Sequence, residues 1–96
     1  MAATPHTILR IAGEVYDQRE HNDREMAFLN GIFDADKEWF SSLAAARRDY
    51  GAGSEMFEIV KRLATATRNA AYQSALKAFE ADEEADIMGT ALQAAE

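Results

Sequence analysis

The sequence predicts an all-α fold: a small bundle of three to four helices with a long C-terminal helix, completed by dimerisation. Three observations predict it. The 96 residues hold one proline. Apolar residues recur at helical spacing, with no sustained alternation of period two. The composition leans on Ala, Glu, Arg, Leu and Met, which favour helix. A chain of this length supports one domain, expected over residues 1–82, with 83–96 as an acidic, partly flexible C-terminal segment.

Thr4 is a good N-cap and Pro5 suits the first helical position, where its missing N–H costs nothing, so the first helix starts there. Ile8, Ile11, Ala12 and Val15 follow as an apolar stripe with Tyr16 at its edge. The stripe stops at Asp17, and residues 17–25 contain no hydrophobe. Asn22 and Glu25 have the spacing of a capping box, which predicts a break near residues 20–23 and a new helix beyond it. A helix running straight through on a heptad-like phase is the alternative. Met26, Leu29, Ile32 and Phe33 form the next apolar face, with Phe28 adding to it.

Asn30-Gly31 weakens that helix. Asp34 or Asp36 is placed to cap another, running from about Ala35 to Tyr50 with Trp39, Phe40, Leu43, Ala44 and Ala46 turned inward. Gly51-Ala52-Gly53-Ser54 reads as a loop, in which Gly51 closes the helix before it and Ser54 caps the helix after it.

The last helix is expected from Glu55 to at least Glu80, roughly 39 Å of rod. Met56, Val60, Leu63, Thr67 and Ala70 form one row along it, and Phe57, Ala64, Ala71, Ala75 and Phe79 a neighbouring one. Side chains between Ala64 and Ala75 are mostly small, which lets another helix approach near the short end of the usual ~8–10 Å. Such a rod outruns the elements before it. Its far half is therefore expected to pack on a second copy or a partner, with Leu63, Ala64, Thr67, Ala71 and Ala75 as the dimer or helix-packing face.

The net charge of −7 is unevenly placed. All ten bases lie in residues 1–79 with eleven of the acids, leaving that part at −1, whereas residues 80–96 carry −6. A nearly neutral body with an anionic end argues against binding phosphate backbones and suits a basic protein partner. With no cysteine, disulfides, thiolate zinc sites and cysteine nucleophiles are excluded. The first residues lack the pattern of a signal peptide, and no apolar run approaches the ~20 residues of a membrane span. A soluble, cytoplasmic protein is expected.

Candidate chemistry is sparse. Asp17, His21 and Glu25 would share one face of a continuous helix and offer metal ligands, although i,i+4 pairing with Arg19 and Arg24 explains the same residues. The acid pairs Glu14/Asp17, Glu55/Glu58 and Glu80/Glu83 resemble the magnesium-binding pairs of MazG-type helical nucleotide pyrophosphatases. That resemblance implies a metal-dependent hydrolase. However, the family's pairs converge on facing helices, while Glu55/Glu58 and Glu80/Glu83 fall on one helix, roughly 37 Å apart, and meet only in an antiparallel dimer. Gln18 stands where a di-iron Glu-x-x-His motif ending at His21 needs glutamate. Asp34-Ala-Asp36 opens like a calcium loop, but Trp39 and Ala45 occupy its glycine and bidentate-acid positions. GAGS at 51–54 lacks the lysine of a phosphate loop. Arg47-Arg48, Lys61-Arg62 and Arg68 form either a basic patch or solvated faces paired with Asp49, Glu55 and Glu58, the second reading being favoured.

The reading that remains is a non-enzymatic protein–protein interaction module that regulates or inhibits a partner, by analogy with small acidic proteins of phages and mobile elements. Glu80, Asp82, Glu83, Glu84 and Asp86 are the expected partner-binding residues, with Arg47 and Arg48. No catalytic residue, metal or cofactor is expected, and the partner is a protein with a basic surface rather than nucleic acid or membrane. A homodimer is anticipated. A metal-dependent hydrolase built at a dimer interface and an adaptor or chaperone subunit are the alternatives.

Overall fold

A computed structural model describes residues 3–95, with side chains described for residues 3–81. It contains three helices: α1 (Pro5–Tyr16), α2 (Asp23–Tyr50) and α3 (Glu55–Ala95). Each start is fixed by the residue that precedes it. The Thr7 N–H donates to Thr4 Oγ1 at 3.1 Å, with Pro5 at the head of α1. Ahead of α2 the capping box is complete: the Glu25 N–H donates to Asn22 Oδ1 at 2.8 Å, and the Asn22 N–H donates to Glu25 Oε1 at 3.1 Å. The Phe57 N–H donates to Ser54 Oγ at 3.1 Å before α3. Gly51 ends α2 at φ 86°, a backbone conformation that favours glycine, and its N–H donates to Arg47 O at 2.9 Å. Asn22→Ala removes the bond that its side chain accepts from the Glu25 N–H and keeps the one its own backbone N–H donates to Glu25. It is expected to lower stability by about 1 kcal/mol, read as a reduced urea midpoint without a changed slope.

α2 and α3 form an antiparallel hairpin. Moving up α2, contacts descend along α3: Phe28 on Phe79, Gly31 on Ala75, Asp36 on Tyr72, Trp39 on Thr65. α1 lies across the open end of this hairpin. Ile8, Ala12 and Val15 join Phe28, Leu29, Ile32, Ala35, Tyr72 and Leu76 in one buried cluster. Toward the loop, where α1 no longer covers the pair, Ala46 and Phe57 are buried. The Gln73 amide donates to Ala3 O and ties the start of the chain to α3. The long axis of 63 Å is close to the length of the 41-residue α3.

Four expectations are corrected by this arrangement. α2 does not end at Asn30-Gly31. A Cβ on Gly31 would stand 3.2 Å from the Ala75 Cβ, so glycine here permits close approach of α2 and α3 rather than a break. Asp34 and Asp36 consequently lie inside α2, not at its start. Secondly, the far half of α3 needs no second copy as far as Phe79. An uninterrupted α2 reaches it, with Phe28 stacked on Phe79 at 4.8 Å between centroids. Thirdly, the expected packing face is divided: Ala64, Ala71 and Ala75 are partly buried within the chain's own hairpin, whereas Leu63 and Thr67 are exposed and take no part in it. Fourthly, Phe40 is 65% exposed and Phe33 52%, so neither belongs to the core, while Phe28 does.

Candidate functional site

The described residues leave an apolar groove between α1 and α2. Leu9, Gly13 and Tyr16 line it from α1, and Leu29, Ile32 and Phe33 from α2, around a volume of about 300 Å³. Its walls are held in place from below. Ala12, Leu29 and Ile32 are buried and form the floor, while Tyr16 stands edge-on to Phe33 at 6.3 Å. Gly13 keeps the α1 side open, because nothing lies within 4 Å of where its Cβ would be. Asp36 is the one charged residue among the described lining residues. It accepts a hydrogen bond from the Tyr72 hydroxyl, which fixes the carboxylate at the groove's edge. Burial, and then this bond and the Asp36 charge, push Tyr72 up to about 12. Tyr72 therefore stays a donor throughout the neutral range.

On the opposite side of the hairpin lies a cleft of about 500 Å³, lined mainly by small side chains, among them Ala27, Gly31, Ser74 and Ala78. Beside it, the Arg68 guanidinium lies over the Trp39 ring at 4.8 Å and the Tyr72 ring at 5.5 Å. Trp39 Nε1–H donates to Thr65 Oγ1 at 3.0 Å. Stacking in this way holds the arginine as a structural cation, with its Nε buried and without a hydrogen-bond partner among the described residues.

The residues singled out from sequence distribute as follows. Arg47 and Arg48 are exposed in the last turn of α2, and Arg48 pairs with Asp49 at 3.5 Å, both side chains open to water. Arg68 is turned inward, so the five-residue basic patch does not form. Asp17, His21 and Glu25 do not share a face, because the chain breaks between them. Asp17 caps α1, His21 Nε2–H donates to Val15 O at 2.9 Å, and Glu25 belongs to the capping box. Glu55 and Glu58 open α3, and Glu80 sits at the far end of the hairpin. Among the described residues no three His, Asp or Glu side chains are gathered as metal ligands. Glu80 is exposed, and the side chains of Asp82, Glu83, Glu84 and Asp86 lie outside the described residues.

Sequence reasoning missed Tyr72 and Leu76, which with Phe57 are the buried residues among those of α3 whose side chains are described. The signal was present as Tyr72, Leu76 and Phe79 at i, i+4, i+7. It was hidden because the same face carries Lys61, Thr65 and Arg68 further up. No described helix is long and apolar enough to cross a membrane. Comparison with family models, curated proteins and solved structures finds no match for this chain.

Proposed function

We propose that the chain is a non-enzymatic protein-binding module that receives an amphipathic, basic helix of a partner in the α1–α2 groove, and regulates or inhibits that partner by occupying its surface. The observation that supports this reading most is the groove's lining. It exposes Leu9, Tyr16 and Phe33 side by side, over a buried apolar floor, with a single carboxylate at its edge. Isolated exposed hydrophobes are ordinary on a protein surface, but a contiguous set lining a groove between two helices is a surface that an amphipathic helix can cover. Asp36 favours a cation on the incoming helix, and the −6 carried by residues 80–96 adds longer-range attraction for a basic partner.

Gly13 supplies the test. A Cβ there meets nothing within 4 Å and phenylalanine improves helix propensity over glycine, so Gly13→Phe is expected to keep the fold while its ring occupies the groove. The probe is a synthetic amphipathic peptide of about five helical turns built from Leu and Lys, with a Leu/Glu peptide as its control. The Leu/Lys peptide is expected to shift the amide resonances of Gly13, Leu29 and Phe33, less strongly as salt rises. The Leu/Glu peptide should not, and Gly13→Phe should weaken binding at least about tenfold. Affinity unchanged in Gly13→Phe, or resonance shifts confined to residues 80–96, would show that the groove is not the site.

A further inference from the structure

A second unpartnered apolar surface lies on the outward side of α3, and none of its residues lines the groove. Met56, Ile59 and Leu63 follow one another at i, i+3 and i+7 and are 45%, 41% and 64% exposed. Ala66 and Thr67 continue the stripe and are exposed as well. The inward side of the same helix is occupied by Phe57, Ala64 and Tyr72, so the stripe is not a margin of the core. Thr67 Oγ1 donates to Leu63 O at 3.0 Å. Its hydroxyl is thus satisfied within its own helix and imposes no polar requirement on whatever covers the face.

The charges beside the stripe select the occupant. Glu55 and Arg62 stand two turns apart on the same flank of it, both exposed. A two-fold axis perpendicular to an antiparallel helix pair sets each flank against its own copy, with the order of residues reversed. We infer that this face binds a second copy of the chain, antiparallel, about an axis at Ile59. In that register Ile59 meets the partner's Ile59, Met56 lies against the partner's Leu63, and Glu55 faces the partner's Arg62, the last two contacts each occurring twice. The sequence opposes the longer overlap centred on Ala66 and Thr67. Sliding the copy there brings Glu55 toward the partner's Glu80 and Lys77 toward the partner's Met56. The overlap spans residues 55–63, about 13 Å of each rod, so the association is a weak and reversible one.

Sedimentation velocity on the full chain, from about 10 μM to about 1 mM, tests the pairing. The average mass is expected to rise with concentration from 10.6 kDa toward twice that value. Ile59→Glu should leave a monomer throughout. Glu55→Arg and Arg62→Glu should each weaken the dimer about tenfold, because two symmetry-related pairs become like-charged, and the two substitutions together should restore it to within about twofold of the wild type. Helical circular dichroism of every variant separates lost pairing from lost fold. A monomer at all concentrations, a dimer indifferent to Ile59→Glu, or a double variant no tighter than the single ones would each overturn the inference. None of these outcomes bears on the groove, which is read by its own peptide and its own substitution.

Discussion

Phe28→Ala is expected to remove about 3–5 kcal/mol of stability, a large share of the roughly 5–14 kcal/mol that a domain of this size holds. Phe28 is 2% exposed and lies where all three helices meet. Its ring stacks on Phe79 with 28° between planes, and Phe79 in turn carries the Arg24 guanidinium at 4.2 Å. Truncation leaves a cavity that helices docked on both sides cannot close, because Gly31 and Ala75 already hold α2 and α3 at contact one turn away. Urea unfolding followed at 222 nm should show a strongly lowered midpoint with an unchanged slope. Phe40→Ala, at a side chain 65% exposed, is the control and should change stability by less than about 1 kcal/mol. A loss below about 1.5 kcal/mol for Phe28→Ala would mean that the helices do not converge on this ring.

The helix ends were legible in the sequence because their causes are local. Thr4-Pro5, Asn22 with Glu25, and Gly51 with Ser54 each act within four residues, and each does what its spacing predicts. What was not legible depends on contacts between residues far apart in the chain. Gly31 is a helix-weakening residue on local grounds, yet it sits inside α2, where its missing side chain lets Ala75, far along the chain, approach closely. That one position accounts for the difference between four short helices and three, and hence for how far α2 covers α3. Phe33 and Phe40 were read as core for a related reason. Hydrophobicity reports a preference for burial, but which side of α2 is covered is set by where α1 crosses it. The α1–α2 groove has the same origin, since Leu9, Gly13, Tyr16 and Phe33 come together only after that crossing.

Tyr72→Phe is expected to cost about 1–3 kcal/mol, although it removes a single oxygen from a ring that stays buried. The hydroxyl donates to Asp36, and without it a half-buried carboxylate loses its partner. The cost should depend on pH in a defined direction. In the folded chain Tyr72 titrates near 12 rather than at its ordinary 10.0, raised first by burial and then by Asp36, while the Arg68 charge works in the opposite direction. Between those two values the native state keeps a proton that the unfolded chain gives up. The native state therefore binds more protons, and stability falls as pH rises. The contribution is whole below about pH 10 and is lost by about pH 12. Tyr72→Phe has no proton to lose, so the stability gap between the two proteins should be constant from pH 7 to about 10 and narrow above it. Urea titrations at stepped alkaline pH measure that gap, and a gap that stays parallel through pH 11.5 would place the Tyr72 hydroxyl in water rather than against Asp36. Asp36→Asn separates the two contributions. It keeps an acceptor for the hydroxyl while removing the charge, so it should restore part of the alkaline stability without the full cost seen in Tyr72→Phe.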